Sequence, residues 1–289
     1  MAAFRADSGL TMCCSRTGAR CSGLTGRGRA AIFNRGWRGR SGTVLAPAAE
    51  HRVVMPTTEG AAVPRILHFS SGTDDWKAFL ADPDKHWKTG FSARSLAHCW
   101  EAADGLPAEI ASMFRTSSDA RLRAFEPIFA IPEYKVELPG GTRSSQNDIF
   151  VLGRAGNSAV TLMVEGKVNE SFGPTIAEWY QEPSPGKVER MAYLLGILGL
   201  SSEPEPAIRY QLLHRCASPL IEAARFRASA AVMIVQSFTS NRTGWSDFVA
   251  FCQLFEVDPM PGALVKVTEH NGVPLHVGWA DGDLRFTTL

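Results

Sequence analysis

Residues 146–167 read QNDIFVLGRAGNSAVTLMVEGK and decide the fold. The first apolar run, DIFVL at 148–152, is nearly continuous, which is typical of a strand buried on both faces. The second run, at 159–168, is richer still in β-forming residues. A loop at 153–158 predicts an antiparallel hairpin between them, in which Asp148 pairs with a residue near 163–165.

This register predicts a cluster of charged side chains at one end of the hairpin. Asp148 and Glu165 lie side by side, and Lys167 points to the same face as Glu165 because it is two residues further along the strand. Burying such charges is costly, so the cluster indicates a function. The two carboxylates, the carbonyl of Gly166 and waters suit Mg²⁺ or Mn²⁺, and Lys167 would orient or help deprotonate a metal-bound water.

The elements around the hairpin predict an α/β fold. Apolar residues at three-to-four spacing predict a helix from about Asp119 to Pro132, which includes Glu126, and a short strand follows at 134–138. Helices are expected after Gly173, then a buried strand at 230–235 and a terminal hairpin around 271–272. The order α-β-β-β-α-β describes a mixed β-sheet flanked by helices, with an N-terminal helical extension upstream.

An Asp, a gap of 16 residues and Glu-x-Lys on the next strand resembles the PD-(D/E)XK, or restriction-endonuclease-like, superfamily. The resemblance covers residues 119–237, and the wider pattern is also similar to an uncharacterised bacterial family. It implies Mg²⁺-dependent cleavage of DNA by Asp148, Glu165 and Lys167. It further implies Glu126 as a metal ligand on the preceding helix. The accessory candidates are Gln146, Gln211, His214, Arg215, Gln236 and Ser237.

The same residues allow simpler interpretations. Glu165 and Lys167 could form a surface salt bridge on an edge strand, although Met163, Val164 and Val168 favour a central strand. At the level of function, the alternative to a nuclease is a catalytically silent nuclease-like fold that binds a partner. Asn147 stands where the superfamily motif has Pro, and Gly166 is smaller than its usual middle residue.

The charge distribution separates the first 54 residues from the rest. They contain nine Arg and two acidic residues, and we expect disorder before about residue 60. This segment could be a transit peptide, an arm that contacts nucleic acid, or sequence upstream of a true start at Met55. Residues 61–289 are expected to form a single nuclease-like domain, with its core at 119–238. Residues 55–289 contain 21 basic and 27 acidic residues, which disfavours non-specific binding of nucleic acid.

Cysteine spacing and hydropathy indicate the cellular environment of the protein. The six cysteines include no CxxC pair, so the sequence suggests neither a zinc site nor a disulfide scaffold, and the reducing cytoplasm is the expected compartment. No apolar run approaches the length that spans a bilayer, so no membrane partner is expected.

Overall fold

The computed structural model describes residues 72–289, which belong to one unit of the chain, Thr58–Leu289. Its centre is a six-stranded sheet formed by β1 (Phe125–Val136), β2 (Ser145–Ala155), β3 (Ser158–Lys167), β4 (Ala230–Ser237), β5 (Leu264–His270) and β6 (Val273–Asp281). The strand order in the sheet is β1-β2-β3-β4-β6-β5. The first three strands pair antiparallel, β3, β4 and β6 are parallel, and β5 and β6 form a hairpin.

Helices cover both faces of this sheet. On one face, α2 and α3 pack on Ile149, Val164 and their neighbours. On the other face, α5, α6 and α7 pack on Phe150, Met163 and theirs. Neighbouring residues of a strand point to opposite faces of the sheet and are buried in different cores, which explains the continuous apolar runs. The helix layers on both faces of a mixed sheet confirm the mixed α/β class. After a 3₁₀ helix (Thr73–Phe79), the helices are α1 (Pro83–His86), α2 (Ser92–Glu101), α3 (Ala108–Arg115), α4 (Ile176–Trp179), α5 (Pro185–Leu198), α6 (Tyr210–Phe226) and α7 (Trp245–Gln253).

The central hairpin has the predicted register. Ile149 pairs with Val164, so the next position along the two strands sets Asp148 opposite Glu165. The turn is tighter than expected, because β2 continues to Ala155 and β3 begins at Ser158. The parallel neighbour β4 covers the other side of β3, and the edge-strand interpretation of Glu165 and Lys167 is therefore wrong.

The helix predicted from Asp119 to Pro132 is also wrong. Residues 120–124 form turns, and β1 runs through Phe125–Val136 as the edge strand beside β2. An edge strand tolerates Pro127 and Pro132, since a missing N–H on its open side breaks no ladder bond. The restriction-endonuclease-like core remains a prediction, while the β1-β2-β3, α6 and β4 parts of it are present as secondary structure.

Some of the remaining predictions are confirmed, and others concern residues that the structure does not describe. The terminal hairpin is confirmed, and β6 also joins the main sheet beside β4. The N-terminal helical extension is confirmed by α1, α2 and α3. The predictions for residues 1–60, including the start at Met55, lie outside the described residues.

Candidate functional site

Three carboxylates lie on neighbouring strands at the same level of the sheet. The pairs Pro132–Ile149 and Tyr134–Asn147 flank Glu133 and set it opposite Asp148, and Asp148 in turn is opposite Glu165. Side chains at directly opposed positions lie within contact range of one another. We call Glu133, Asp148 and Glu165 the acid row.

Glu165 is surrounded by positive and hydrogen-bond-donating groups. Its Oε1 accepts hydrogen bonds from Lys167 Nζ (2.6 Å) and Gln211 Nε2 (2.7 Å), and its Oε2 accepts one from Arg215 Nε (2.5 Å). Only 4% of the Glu165 side chain is exposed. Burial alone would raise the pKa of this carboxyl, but the charges of Arg215 and Lys167 and their hydrogen bonds lower it to about 2. Glu165 is therefore an ionised, fully compensated carboxylate.

The other two acids of the row have no comparable cation. Asp148 Oδ2 accepts a hydrogen bond from the backbone N–H of Gly166 (2.7 Å), and Glu133 Oε2 accepts one from Gln146 Nε2 (2.5 Å). Burial, reinforced by the charges of Glu165 and Glu133, raises the pKa of Asp148 well above its usual range. Burial likewise raises the pKa of Glu133 to about 7. These two carboxyl groups carry excess negative charge at neutral pH or retain a proton.

Side chains of helix α6 form hydrogen bonds that hold the row in place. Arg215 Nη1 donates to Ser145 Oγ (3.1 Å), which also accepts from Ser218 Oγ (2.9 Å). The Ser145 hydroxyl in turn shares a hydrogen bond with His214 Nδ1 (2.8 Å). Burial and the neighbouring charge of Arg215 hold the pKa of His214 well below its usual range, so its ring is neutral. His214 therefore serves to orient the Ser145–Arg215 contact.

A cavity of about 280 Å³ opens against the uncompensated part of the row. One wall is made by Glu133, Gln146, Asp148 and Arg215, and the other by Leu80, Ala81, His86, Ser92 and Ala93. Glu170 holds the second wall in place, since its carboxylate accepts hydrogen bonds from the N–H groups of Ser92 and Val168 (both 2.8 Å). The start of α2 is thus tied to the end of the strand that carries Glu165.

The close packing of α2 explains why position 166 is a glycine. A Cβ at this position would lie 2.3 Å from Leu96 Cδ1. The small middle residue of the Glu-Gly-Lys motif is thus explained by the close approach of α2. This close approach also leaves the Gly166 N–H in position to hold Asp148.

The structure brings most of the sequence-predicted residues together. Asp148, Glu165, Gly166 and Lys167 meet as expected, and Gln211, His214 and Arg215 reach them from α6. Gln146 contacts the row through Glu133. Residues 82–87 include the short helix α1, of which His86 lines the cavity.

Two predicted residues do not join the site. Glu126 lies seven residues before Glu133 on β1, roughly 23 Å away along an extended strand, and pairs with Arg154 at the surface. The sequence interpretation places Glu126 near the row because it predicts a helix where β1 lies. Gln236 faces the opposite helix layer, where it accepts from Trp100 Nε1 (2.9 Å) and donates to Glu109 Oε1 (2.6 Å). The Ser237 hydroxyl has its contact with Thr239.

Glu133 is the residue that sequence reasoning missed. A signal for it existed, because Phe125, Pro127, Phe129 and Ile131 recur at every second position, which is the period of a strand. A strand through 125–136 leads directly to an antiparallel pairing with β2. Glu133 also has a φ of 52°, a left-handed conformation that non-glycine residues adopt at a cost and often at functional positions.

The fold and the row define a mixed α/β protein with a buried acidic site at the end of a central hairpin. The chain belongs to the family described as Domain of unknown function (DUF6946), whose model matches residues 69–284. No curated protein and no solved structure matches the chain. No helix within residues 72–289 has the length and apolar character needed to cross a membrane.

Proposed function

We propose that this protein hydrolyses phosphodiester bonds of nucleic acid with the help of Mg²⁺ or Mn²⁺ held at the acid row. The observation that carries the proposal is the uncompensated pair Glu133 and Asp148 beside a cavity, next to Lys167. Two partly buried carboxylates that form no ion pair with a cation are unfavourable in a folded protein unless a proton or a metal ion neutralises them. The resemblance of residues 148–167 to the PD-(D/E)XK motif supports the same reaction class.

The donor set fits a hard cation in one particular way. Glu133 Oε1 and Asp148 Oδ1 accept no hydrogen bond from any residue of the described chain, so each acid keeps one oxygen available. No three His, Cys, Asp or Glu side chains within residues 72–289 form a group that could hold a metal ion. Mg²⁺ suits this arrangement, because it is usually bound by one or two carboxylates and keeps several waters.

This arrangement changes the part that Glu165 plays. Both of its oxygens are engaged by Lys167, Gln211 and Arg215, so we assign it the role of anchoring these groups instead of binding the metal. Glu133 takes the place that the sequence interpretation gave to Glu126. The carbonyl of Gly166 remains a candidate ligand, as predicted.

In this arrangement each group of the protein would have a distinct role in the hydrolysis. When bound, Mg²⁺ would neutralise phosphate charge and lower the pKa of a bound water. Lys167 has three N–H donors, of which Glu165 and Gln211 accept two (2.6 and 3.4 Å), and its ammonium lies 4.9 Å from the centre of the Phe172 ring. Its remaining N–H would orient the attacking water or a phosphoryl oxygen. Gln146 fixes the carboxylate of Glu133, and the Gly166 N–H fixes that of Asp148.

Hydrolysis of bis(p-nitrophenyl) phosphate and of DNA in the presence of Mg²⁺ or Mn²⁺ tests the proposal. Asp148→Asn and Lys167→Met should each lower the rate by about 100-fold or more, as removal of an electrostatic catalytic group does. Glu126→Gln removes a carboxylate of β1 that lies outside the row, and should retain the wild-type rate. Wild-type activity in Asp148→Asn would refute the assignment.

One observation favours a second candidate, a nuclease-like protein that binds without turnover. Glu165, which the motif would use for metal binding, is already paired with two cations, Lys167 and Arg215. In that case wild-type protein binds Mn²⁺ and nucleotides but hydrolyses none of the substrates above.

A further inference from the structure

The two walls of the cavity limit what can reach the acid row. Leu80, Ala81, His86 and the first turn of α2 line the cavity together with Glu133 and Asp148. A volume of about 280 Å³ lies near the lower end of small-molecule sites, which are roughly 300–1,000 Å³. A ligand of about one nucleotide unit matches this space, whereas a continuous duplex would have to displace the Leu80–His86 wall.

The charges at the cavity also disfavour a duplex. Binding of duplex DNA relies on several Lys and Arg contacts to phosphates. Among the lining residues Arg215 is the one permanently charged base, and it already bonds Glu165 and Ser145. Residues 72–289 contain 20 basic and 26 acidic residues, so this part of the chain carries no net positive charge. His86 offers a ring donor across from the acids, suited to a single phosphate or base.

We propose that the cavity takes one unpaired nucleotide unit, so that the substrates are chain ends, single-stranded flaps or small nucleotide esters and not the interior of a duplex. This inference rests on the proposed function and specifies its substrate class. Enzymes that act on a single nucleotide of a duplex must likewise take it out of the stack into an enclosed site.

The first test compares three substrates with Mn²⁺ present. These are thymidine 5′-(p-nitrophenyl phosphate), a linear duplex with single-stranded ends, and a closed circular plasmid. Water adds to phosphorus, the P–O bond to p-nitrophenolate breaks, and the proton of the water goes to the buffer. We expect hydrolysis of the small ester and of the protruding ends, with the plasmid left supercoiled. Plasmid cleavage at a rate per bond equal to that of the protruding ends would overturn the inference.

The second test fills the cavity without changing the acid row. Ala81→Trp should lower kcat/KM for the small ester by about tenfold or more, because the indole occupies the space opposite Asp148. Ala78→Trp is the matched control, since Ala78 lies on the preceding 3₁₀ helix and lines a different cavity. Equal rates in the two variants would contradict the assignment.

A binding measurement separates this inference from the proposed function. If no ester is hydrolysed, the proposed function fails, and titration calorimetry with thymidine 5′-monophosphate in Ca²⁺ buffer decides the cavity assignment. Binding by wild type and Ala78→Trp, lost in Ala81→Trp, supports it. Absence of binding by wild type overturns it.

Discussion

The two sides of the acid row have opposite electrostatic environments although they lie on adjacent strands. On the β3 side, Glu165 is buried with two cations and an amide, and its pKa falls to about 2. On the β1–β2 side, Glu133 and Asp148 are held by one amide and one backbone N–H, and burial raises the pKa of both. Carboxyl groups whose pKa values are pushed apart in this way have different tasks. Glu165, on the compensated side, serves as a rigid support. On the uncompensated side, the charges of Glu133 and Asp148 still require a cation or a proton to balance them.

Removal of Arg215 should give the largest effect, because it breaks the compensated side. Arg215→Ala leaves Glu165 buried with Lys167 as its remaining cation, and breaking a buried pair costs about 3–5 kcal/mol. Urea denaturation at pH 7 measures the loss in free energy of unfolding.

Arg154→Ala is the control for that experiment. Its partner Glu126 is 51% exposed and Arg154 itself 62%, so this pair is solvated and its loss should cost at most about 1 kcal/mol. Equal losses for the two variants would show that the Glu165 side is no better buried than the surface pair.

Replacement of Gly166 disturbs the link between the two sides. In Gly166→Ala the new methyl group meets Leu96, which must move, and overpacking of this kind costs about 1–3 kcal/mol. The double variant Gly166→Ala with Leu96→Ala should recover part of the loss in a double-mutant cycle. Additive losses in urea denaturation would show that the contact with α2 does not explain the glycine.

Removal of one charge from the uncompensated side should increase stability. The folded-state pKa of Glu133, about 7, lies above its usual 4.5, so its ionisation reduces stability as pH rises from about 4.5 to 7. Glu133→Gln removes this penalty and should raise the free energy of unfolding by about 1–2 kcal/mol at pH 8 in metal-free buffer.

The pH dependence checks the sign of that prediction. The advantage of Glu133→Gln over wild type should shrink as pH falls through 7 and disappear below about 4.5, where the wild-type carboxyl becomes protonated in both the folded and the unfolded chain. Thermal unfolding followed by circular dichroism at several pH values measures it. An advantage that stays constant with pH would indicate a packing effect instead of a charge effect.

The sequence predicts the part of the site that depends on local pattern. The runs at 148–152 and 159–168 have few alternatives to a buried hairpin, and the pleat then sets Asp148, Glu165 and Lys167 together. The contribution of α6 was also foreseeable, since Gln211, His214 and Arg215 lie on the helix that follows the motif.

The rest depends on tertiary pairing that no single segment encodes. Leu122, Phe125, Glu126 and Phe129 fit a helical period, but hydrogen bonding to β2 selects the strand, whose alternation is also present in the sequence. Glu133 joins the row only through that pairing. The cavity wall formed by Ala81 and His86 comes from a segment about 50 residues upstream, whose approach to the row follows from the docking of α2.

Titration calorimetry with Mn²⁺ tests most directly the claim that the uncompensated side is the place for a metal ion. We expect one bound ion per chain in the wild type and in Glu126→Gln, loss of binding in Asp148→Asn, and weaker binding in Glu133→Gln. Binding that is unchanged in both Asp148→Asn and Glu133→Gln would contradict it.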